Sequence, residues 1–418
     1  MLIVYQKKTN INNKIIYILF CCCIYSVAFQ KVIEQIFFNG SNTILNELSS
    51  LLLLLIATSS SVKSKLLISK TVVQLFFISF YLFIVSILFG KNNSIFLISA
   101  QIFIHLQLFI VLISLITIKT KYGFKIYPIF KTIIIISSIG LLLQLIIPST
   151  FNSIFPSNEN TLLKFGGDEQ RFWGFQLNSN ALGILFSFFV ISILDKLTSK
   201  KNILLLLFSL FAILLSGSRT ALIFVVIGAV FSNYSIIKKI ISISLIVFVI
   251  IFSGLSDTLS EKTINNVESV SSIDETKYIR LLMTYHGAKL AVKYFPIGTG
   301  AATFGTVLAG HSSVYNEVGI ANLSSVVELN GIFDSNFGSI SGEFGIIGIL
   351  IFYGFLYTLI KKTNSYYNNI NFNIYLFLII GIIASLFRTF FVSTFYGLIF
   401  CLLLFSYHET KKLYDVKK

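Results

Sequence analysis

About twelve times along this chain an apolar run approaches or reaches the length of a bilayer crossing, and each time a short polar connection follows. The runs fall near 15–33, 43–60, 71–90, 94–118, 127–147, 177–194, 202–216, 220–235, 236–254, 341–360, 373–387 and 389–406. In lipid a backbone satisfies its own N–H and C=O groups only as a helix or a closed barrel. Several runs are shorter than the ~20 residues a helix needs to cross a bilayer. The fold class is all-α, a polytopic membrane protein of about 12 transmembrane helices. Charged residues make up only 12 % of the 418, about half the share in a soluble domain, so the few that remain set the orientation.

Lysines collect in alternate connections: Lys7, Lys8 and Lys14; Lys63, Lys65 and Lys70; Lys119, Lys121, Lys125 and Lys131; Lys196, Lys200 and Lys201; Lys238 and Lys239; Lys361 and Lys362; Lys411, Lys412, Lys417 and Lys418. Short loops rich in Lys and Arg stay in the cytoplasm, so both termini are expected there. The net charge of +15 then reports orientation, and nucleic acid is not an expected partner. All four arginines, Arg171, Arg219, Arg280 and Arg388, fall in the opposite set of connections. Guanidinium is suited to holding phosphate oxygens in fork geometry.

The expected organisation is helices 1–9 over residues 1–254 with an outer loop at 148–176, a large extracytoplasmic loop over 255–340 between helices 9 and 10, and helices 10–12 with a cytoplasmic tail over 341–418. The large loop holds most of the acids. Within it Thr276–Tyr294 reads as an amphipathic helix with Leu281, Leu282, Tyr285, Ala288 and Ala291 on one face. Pro296, Gly298 and Gly300 end it. Cys21, Cys22, Cys23 and Cys401 lie within apolar runs and show no metal-ligand spacing. The first run is expected to remain as an uncleaved span, not to be removed as a signal peptide.

Arg171 precedes the chain's only tryptophan and then Asn178 and Asn180 at the mouth of a span. Such amides need a partner or a ligand there, although Arg171 with Trp173 also fits a plain interfacial anchor. Ser216-Gly217-Ser218-Arg219-Thr220 turns between two apolar helices. A guanidinium, the hydroxyls of Ser216 and Ser218 and a helix N-terminus there suit an anion; a solvated hairpin charge is the plain alternative. Arg280 opens the amphipathic loop helix, and Arg388 sits at the tip of a second tight hairpin. Glu343 falls just inside an apolar run, where a carboxylate needs a partner. Asp334 reads either as a functional acid or as a helix N-cap. His311 and His286 lie in the large loop. His105, between Gln101 and Gln107 within a span, reads as an interhelical hydrogen-bonding residue. No P-loop, GxSxG or HExxH motif is present.

In order along the chain, these segments resemble the bacterial O-antigen polymerase and O-antigen ligase family. The resemblance rests on Arg171–Gly174 with Asn178-Ser179-Asn180, where the family has a proline at the position of Ser179. It continues through Ser216-Gly217-Ser218-Arg219-Thr220-Ala221, then Arg280, Tyr285, Ala288, Pro296, Gly298, Gly300 and Phe304. It closes on Asp334-Ser335 and Glu343-Phe344-Gly345-Ile346-Ile347-Gly348. It implies a glycosyltransferase of the bacterial inner membrane that acts on the extracytoplasmic face without cofactor or metal. An acceptor hydroxyl attacks the anomeric carbon of an undecaprenyl-diphosphate-linked oligosaccharide with inversion, and the lipid diphosphate leaves.

Arg219 and Arg280, with Arg171 and Arg388, are then expected at the diphosphate, and Asp334, Glu343 and His311 are the candidate bases. Donor and acceptor lipid-linked glycans, the bilayer, a chain-length regulator and a flippase are the implied partners. Ligases carry a histidine where this chain has Asp334, which favours polymerisation of repeat units into O-antigen or capsule over ligation. A polysaccharide flippase of twelve spans is the competing class, but no internal repeat supports it.

Overall fold

The computed structural model describes residues 11–40, 44–61, 68–156, 164–165, 168–169, 171–194, 200–231, 279–329, 331–367 and 373–415. Among them lie seventeen α-helices: α1 Ile11–Ala28, α2 Gln30–Phe37, α3 Leu45–Ser61, α4 Ile68–Phe89, α5 Ile95–His105, α6 Gln107–Tyr122, α7 Tyr127–Ile146, α8 Pro148–Ile154, α9 Ser179–Ile193, α10 Lys200–Ser216, α11 Arg219–Phe231, α12 Ile279–Lys293, α13 Val314–Glu317, α14 Ser324–Val327, α15 Asn336–Tyr367, α16 Ile374–Phe387 and α17 Thr394–Asp415. The only strands among the described residues are Lys164–Phe165 and Asp168–Glu169, a two-residue antiparallel ladder.

The helices bury a continuous core of Phe, Leu and Ile, while Phe76, Phe77, Phe80, Leu88, Phe89 and Phe96 stand exposed on α4 and α5. An apolar surface of that kind fits lipid. The chain is a membrane protein. Among the described residues three helical stretches, Lys70–Phe89, Tyr127–Ile146 and Asn336–Tyr367, are long and apolar enough to cross unaided, and counting each of two bent pairs as one span gives five. Six further apolar helices of 10–17 residues fall short of that length. The expected span 236–254 and the start of the large loop lie outside the described residues, so the twelve-span count stands as an expectation.

Buried polar residues lie close to the bends in two of the apolar runs. The expected span 15–33 divides into α1 and α2, which meet at 84°. Glu34 is buried there and takes Lys31 Nζ at 2.9 Å and Gln30 Nε2 at 2.6 Å. The expected span 94–118 divides at Leu106 into α5 and α6, bent by 48°. His105 and Gln107 flank the break, and Gln107 accepts from Thr394 Oγ1 at 2.8 Å.

The expected span 341–360 belongs to a longer helix, α15, broken at Gly345 (φ 63°, ψ −157°). The hairpin expected to turn at Arg388 is also wider than its apolar pattern implies. Arg388 is extended (φ −148°, ψ 164°), and α17 begins only at Thr394. At the end of the bundle away from the large loop, the Glu409 carboxylate accepts from Ile126 N (2.9 and 3.0 Å) and Tyr127 N (2.8 Å), capping α7, and pairs with Lys119.

Helix α12 lies across α15 with Leu282, Met283, His286, Gly287, Leu290 and Ala291 buried. Its inward face is thus turned from the expected one: Tyr285 and Ala288 are exposed. The reason is a close crossing. A Cβ on Gly287 would stand 2.2 Å from the carbonyl oxygen of Gly338, so only glycine allows the two backbones this approach.

Candidate active site

At the loop end of the bundle the Pro296–Gly300 segment is stitched into the break of α15. Thr299 N donates to Gly342 O at 3.0 Å, Gly300 N to Glu343 O at 2.7 Å, and Ile347 N to Pro296 O at 3.2 Å. The break at Gly345 frees these backbone groups, and the loop satisfies them, as buried polar backbone requires. The two glycine-rich motifs, separate in sequence, are therefore one hydrogen-bonded unit.

Glu343 secures that unit. Its Oε1 accepts from Thr303 N (2.9 Å), Phe304 N (3.3 Å) and Thr306 Oγ1 (3.1 Å), and its Oε2 meets His105 Nε2 at 2.9 Å. Neither side chain is exposed. The interhelical role expected of His105 is what the structure shows. The pair ties α5, α15 and the loop together, a contact that sequence spacing does not reveal.

The loop is also bound to the end of α4. Lys91 N donates to Thr299 O at 2.9 Å, Asn92 Nδ2 to Ala302 O at 3.0 Å, and Ala301 N to Ser86 Oγ at 2.9 Å. Lys91 Nζ reaches Tyr294 Oη at 2.7 Å and pairs with Glu317. Burial alone would raise the Glu317 carboxyl, but hydrogen bonds from Lys91, Tyr294 and Lys293 outweigh it and hold the group down to about 2. Burial also raises the Tyr315 phenol, which accepts from Gly305 N at 3.0 Å.

The four arginines come to this same end. Arg280 donates through Nε (2.9 Å) and Nη2 (2.6 Å) to one oxygen of Asp334, Oδ2. Asp334 is not the N-cap of α15. Ser335 takes that place, accepting from Gly338 N at 3.1 Å and meeting Thr284 Oγ1 at 2.8 Å. The next residue, Asn336, receives Phe391 N (2.6 Å) and Val392 N (3.3 Å) on Oδ1 and donates its own N–H to Arg388 O at 3.3 Å. The turn carrying Arg388 is thus pinned two residues from the partner of Arg280.

Arg219 opens α11, which packs on α16, the helix that ends at Arg388. The tip before it is tight: Ser216 Oγ accepts from Ser218 N at 3.3 Å, and Ser218 Oγ accepts from Ala221 N at 3.4 Å. Both serine side chains are buried against Gly183 of α9 and serve the turn itself. Arg171 lies beside that tip, because Phe172 N donates to Leu215 O at 3.1 Å. Gln144 Oε1 holds the same segment through Trp173 N and Gly174 N, both at 2.9 Å. Asn178 caps α9, accepting from Ala181 N at 2.8 Å, and Asn180 sits half-buried in its first turn. His311 is exposed in the loop.

Residues 204–353, from α10 to α15, match a protein family described as O-antigen ligase. The matched stretch holds Ser216, Ser218, Arg219, Arg280, Asp334 and Glu343, and all but its last five residues lie within the span, Arg171 to Gly348, over which the motifs resemble the polymerase and ligase family. Members of that family are membrane glycosyltransferase-like enzymes of the ligase and polymerase type. No curated protein matches the chain.

Proposed function

We propose that this protein polymerises undecaprenyl-diphosphate-linked oligosaccharide repeat units into a surface polysaccharide at the extracytoplasmic face of the inner membrane. The observation carrying this reading is the convergence of four guanidinium-bearing segments at one end of the helical bundle. A lone guanidinium near lipid is costly and marks function. Several together suit a lipid diphosphate whose charge grows as it leaves.

In the proposed step the acceptor hydroxyl oxygen forms a bond to the anomeric carbon. The bond from that carbon to the diphosphate oxygen breaks, and its electron pair stays on the diphosphate. Arg219 and Arg280, assisted by Arg171 and Arg388, take up that charge. The hydroxyl proton passes to Asp334. Both bonds from Arg280 go to Oδ2, so Oδ1 has no protein partner among the described residues. Glu343 is enclosed by three donors and His105 and acts as a positioning residue for the loop. Ligation is the second reading, favoured by the description of the matching family; Asp334 in place of the ligase histidine favours polymerisation.

The glycan profile of a deletion strain tests both. A single repeat unit capping the lipid supports polymerisation. Long polymer stranded on undecaprenyl diphosphate supports ligation instead. Repeat units trapped in the cytoplasmic leaflet would reject both in favour of a flippase.

A further inference from the structure

A cavity of about 400 Å³ opens beside the arginine-bearing segments, between the α1–α2 bend, the start of α3, the 175–178 turn and the start of α17. That volume lies within the range of small-molecule sites, roughly 300–1,000 Å³. Gln176 lines it and is only 4 % exposed. Its orientation is determinate. Ser137 donates its hydroxyl to Ile133 O at 2.8 Å, so it can only accept from Gln176, and the amide nitrogen must face it, at 3.0 Å. The amide oxygen, Gln176 Oε1, is left buried without a protein partner among the described residues, as is Oδ1 of Asn46, a second lining residue.

Two residues that line one cavity thus each hold a buried carbonyl oxygen without a protein partner among the described residues; such oxygens are costly against acyl chain or protein, and they call for hydroxyl donors. The other walls fit the same ligand. Phe175, Phe395 and Tyr396 offer flat apolar faces, which suit the C–H faces of a pyranose and which water does not need. The one cation on the wall, Lys31, is balanced by Glu34 at 2.9 Å, so nothing here selects an anion. The cavity is also flanked by phosphate-binding candidates: the strand of chain that ends in Gln176 starts at Arg171, and the turn that supplies Ser393 starts at Arg388.

We infer that this cavity is a carbohydrate subsite that binds uncharged sugar residues of the lipid-linked repeat unit while the arginines hold its diphosphate. The inference rests on the glycosyl-transfer reading for the identity of the glycan, and not for the existence of the site.

The test uses the full chain in detergent micelles and the fluorescence of its single tryptophan, Trp173, three positions from Gln176. One probe is the repeat-unit oligosaccharide released from the lipid by mild acid, and the other is inorganic pyrophosphate. Gln176→Leu and Asn46→Leu are expected to weaken oligosaccharide binding about tenfold or more with pyrophosphate binding unchanged, and Arg280→Ala to do the reverse. If Gln176→Leu fails to fold, as its melting temperature would show, Asn46→Leu, at a half-buried lining residue, decides. Oligosaccharide binding unaltered in a folded variant overturns the subsite. So does displacement of the oligosaccharide by undecaprenyl phosphate carrying no sugar, which would assign the cavity to lipid. Normal glycan chains in the deletion strain, with sugar binding still lost in the leucine variants, would reject the transferase reading and leave the subsite standing.

Discussion

Arg280 and Asp334, 54 positions apart, meet edge-on, with Nε and Nη2 both on Oδ2 at 2.9 and 2.6 Å. The carboxylate fixes the plane of the guanidinium, and the pair joins the start of α12 to the start of α15. Each is partly exposed, so its contribution to stability is small and its worth lies in geometry. Arg280→Ala and Arg219→Ala should remove long glycan chains, lowering turnover by about 10²–10³ if each acts as one preorganised donor. Protein level should be unchanged by immunoblot. Arg280→Lys should not restore activity, since an ammonium cannot make the two-donor contact. Chain lengths of the wild-type pattern in these variants would remove arginine from the mechanism.

Asp334→Ala and Asp334→Asn should both abolish chain growth, the second because an amide cannot take the proton at Oδ1. Full activity of the asparagine variant, read from the glycan ladder, would move the base to another group.

The buried His105–Glu343 contact predicts a stability effect. Glu343→Ala leaves three donors of the 303–306 segment unsatisfied, and His105→Ala leaves the carboxylate short of a partner. Each should lower stability by about 3–5 kcal/mol, the usual cost of breaking a buried pair. The double variant should cost less than the sum. Additive losses of melting temperature in detergent would show that the two side chains are not coupled.

Glu317 sets a pH dependence. Its carboxyl, near 2 in the folded chain, stands near 4.3 when unfolded. A depressed pKa contributes stability above the unfolded value, and that contribution is lost as pH falls through the folded one. The melting temperature should therefore fall between about pH 5 and about pH 2 more steeply in the wild type than in Glu317→Gln. Parallel curves would dissociate Glu317 from the docking of the loop on α4.

Gly345→Ala should disrupt the loop. Its φ of +63° disfavours a side chain, and a Cβ would stand 2.4 Å from Pro296 O. The expected outcome is a lowered melting temperature with faster proteolysis within 296–306. Resistance equal to wild type would mean that the break in α15 can close without cost.

The α10–α11 hairpin was legible almost to the residue. Ser216-Gly217-Ser218 interrupts two apolar runs, and nothing distant competes with that signal. Bends were not legible where a buried polar residue finds its partner elsewhere. The break at Leu106 is flanked by His105, whose partner Glu343 is 238 positions away. Asp334 and Arg280 stood out separately, but their pairing depends on how α12 crosses α15, which Gly287 permits and composition does not display. Gln176 and Asn46 gave no warning at all, since an isolated amide in an apolar neighbourhood has many structural uses.

The turn from Arg388 to Ser393 has one further consequence. Asn336 clasps its middle, one end carries a guanidinium and the other lines the cavity. A guest seated at one end thus braces the lever that aims the cation at the other, so a correctly fitting sugar would sharpen the grip on the departing group, and a poor one would leave it slack.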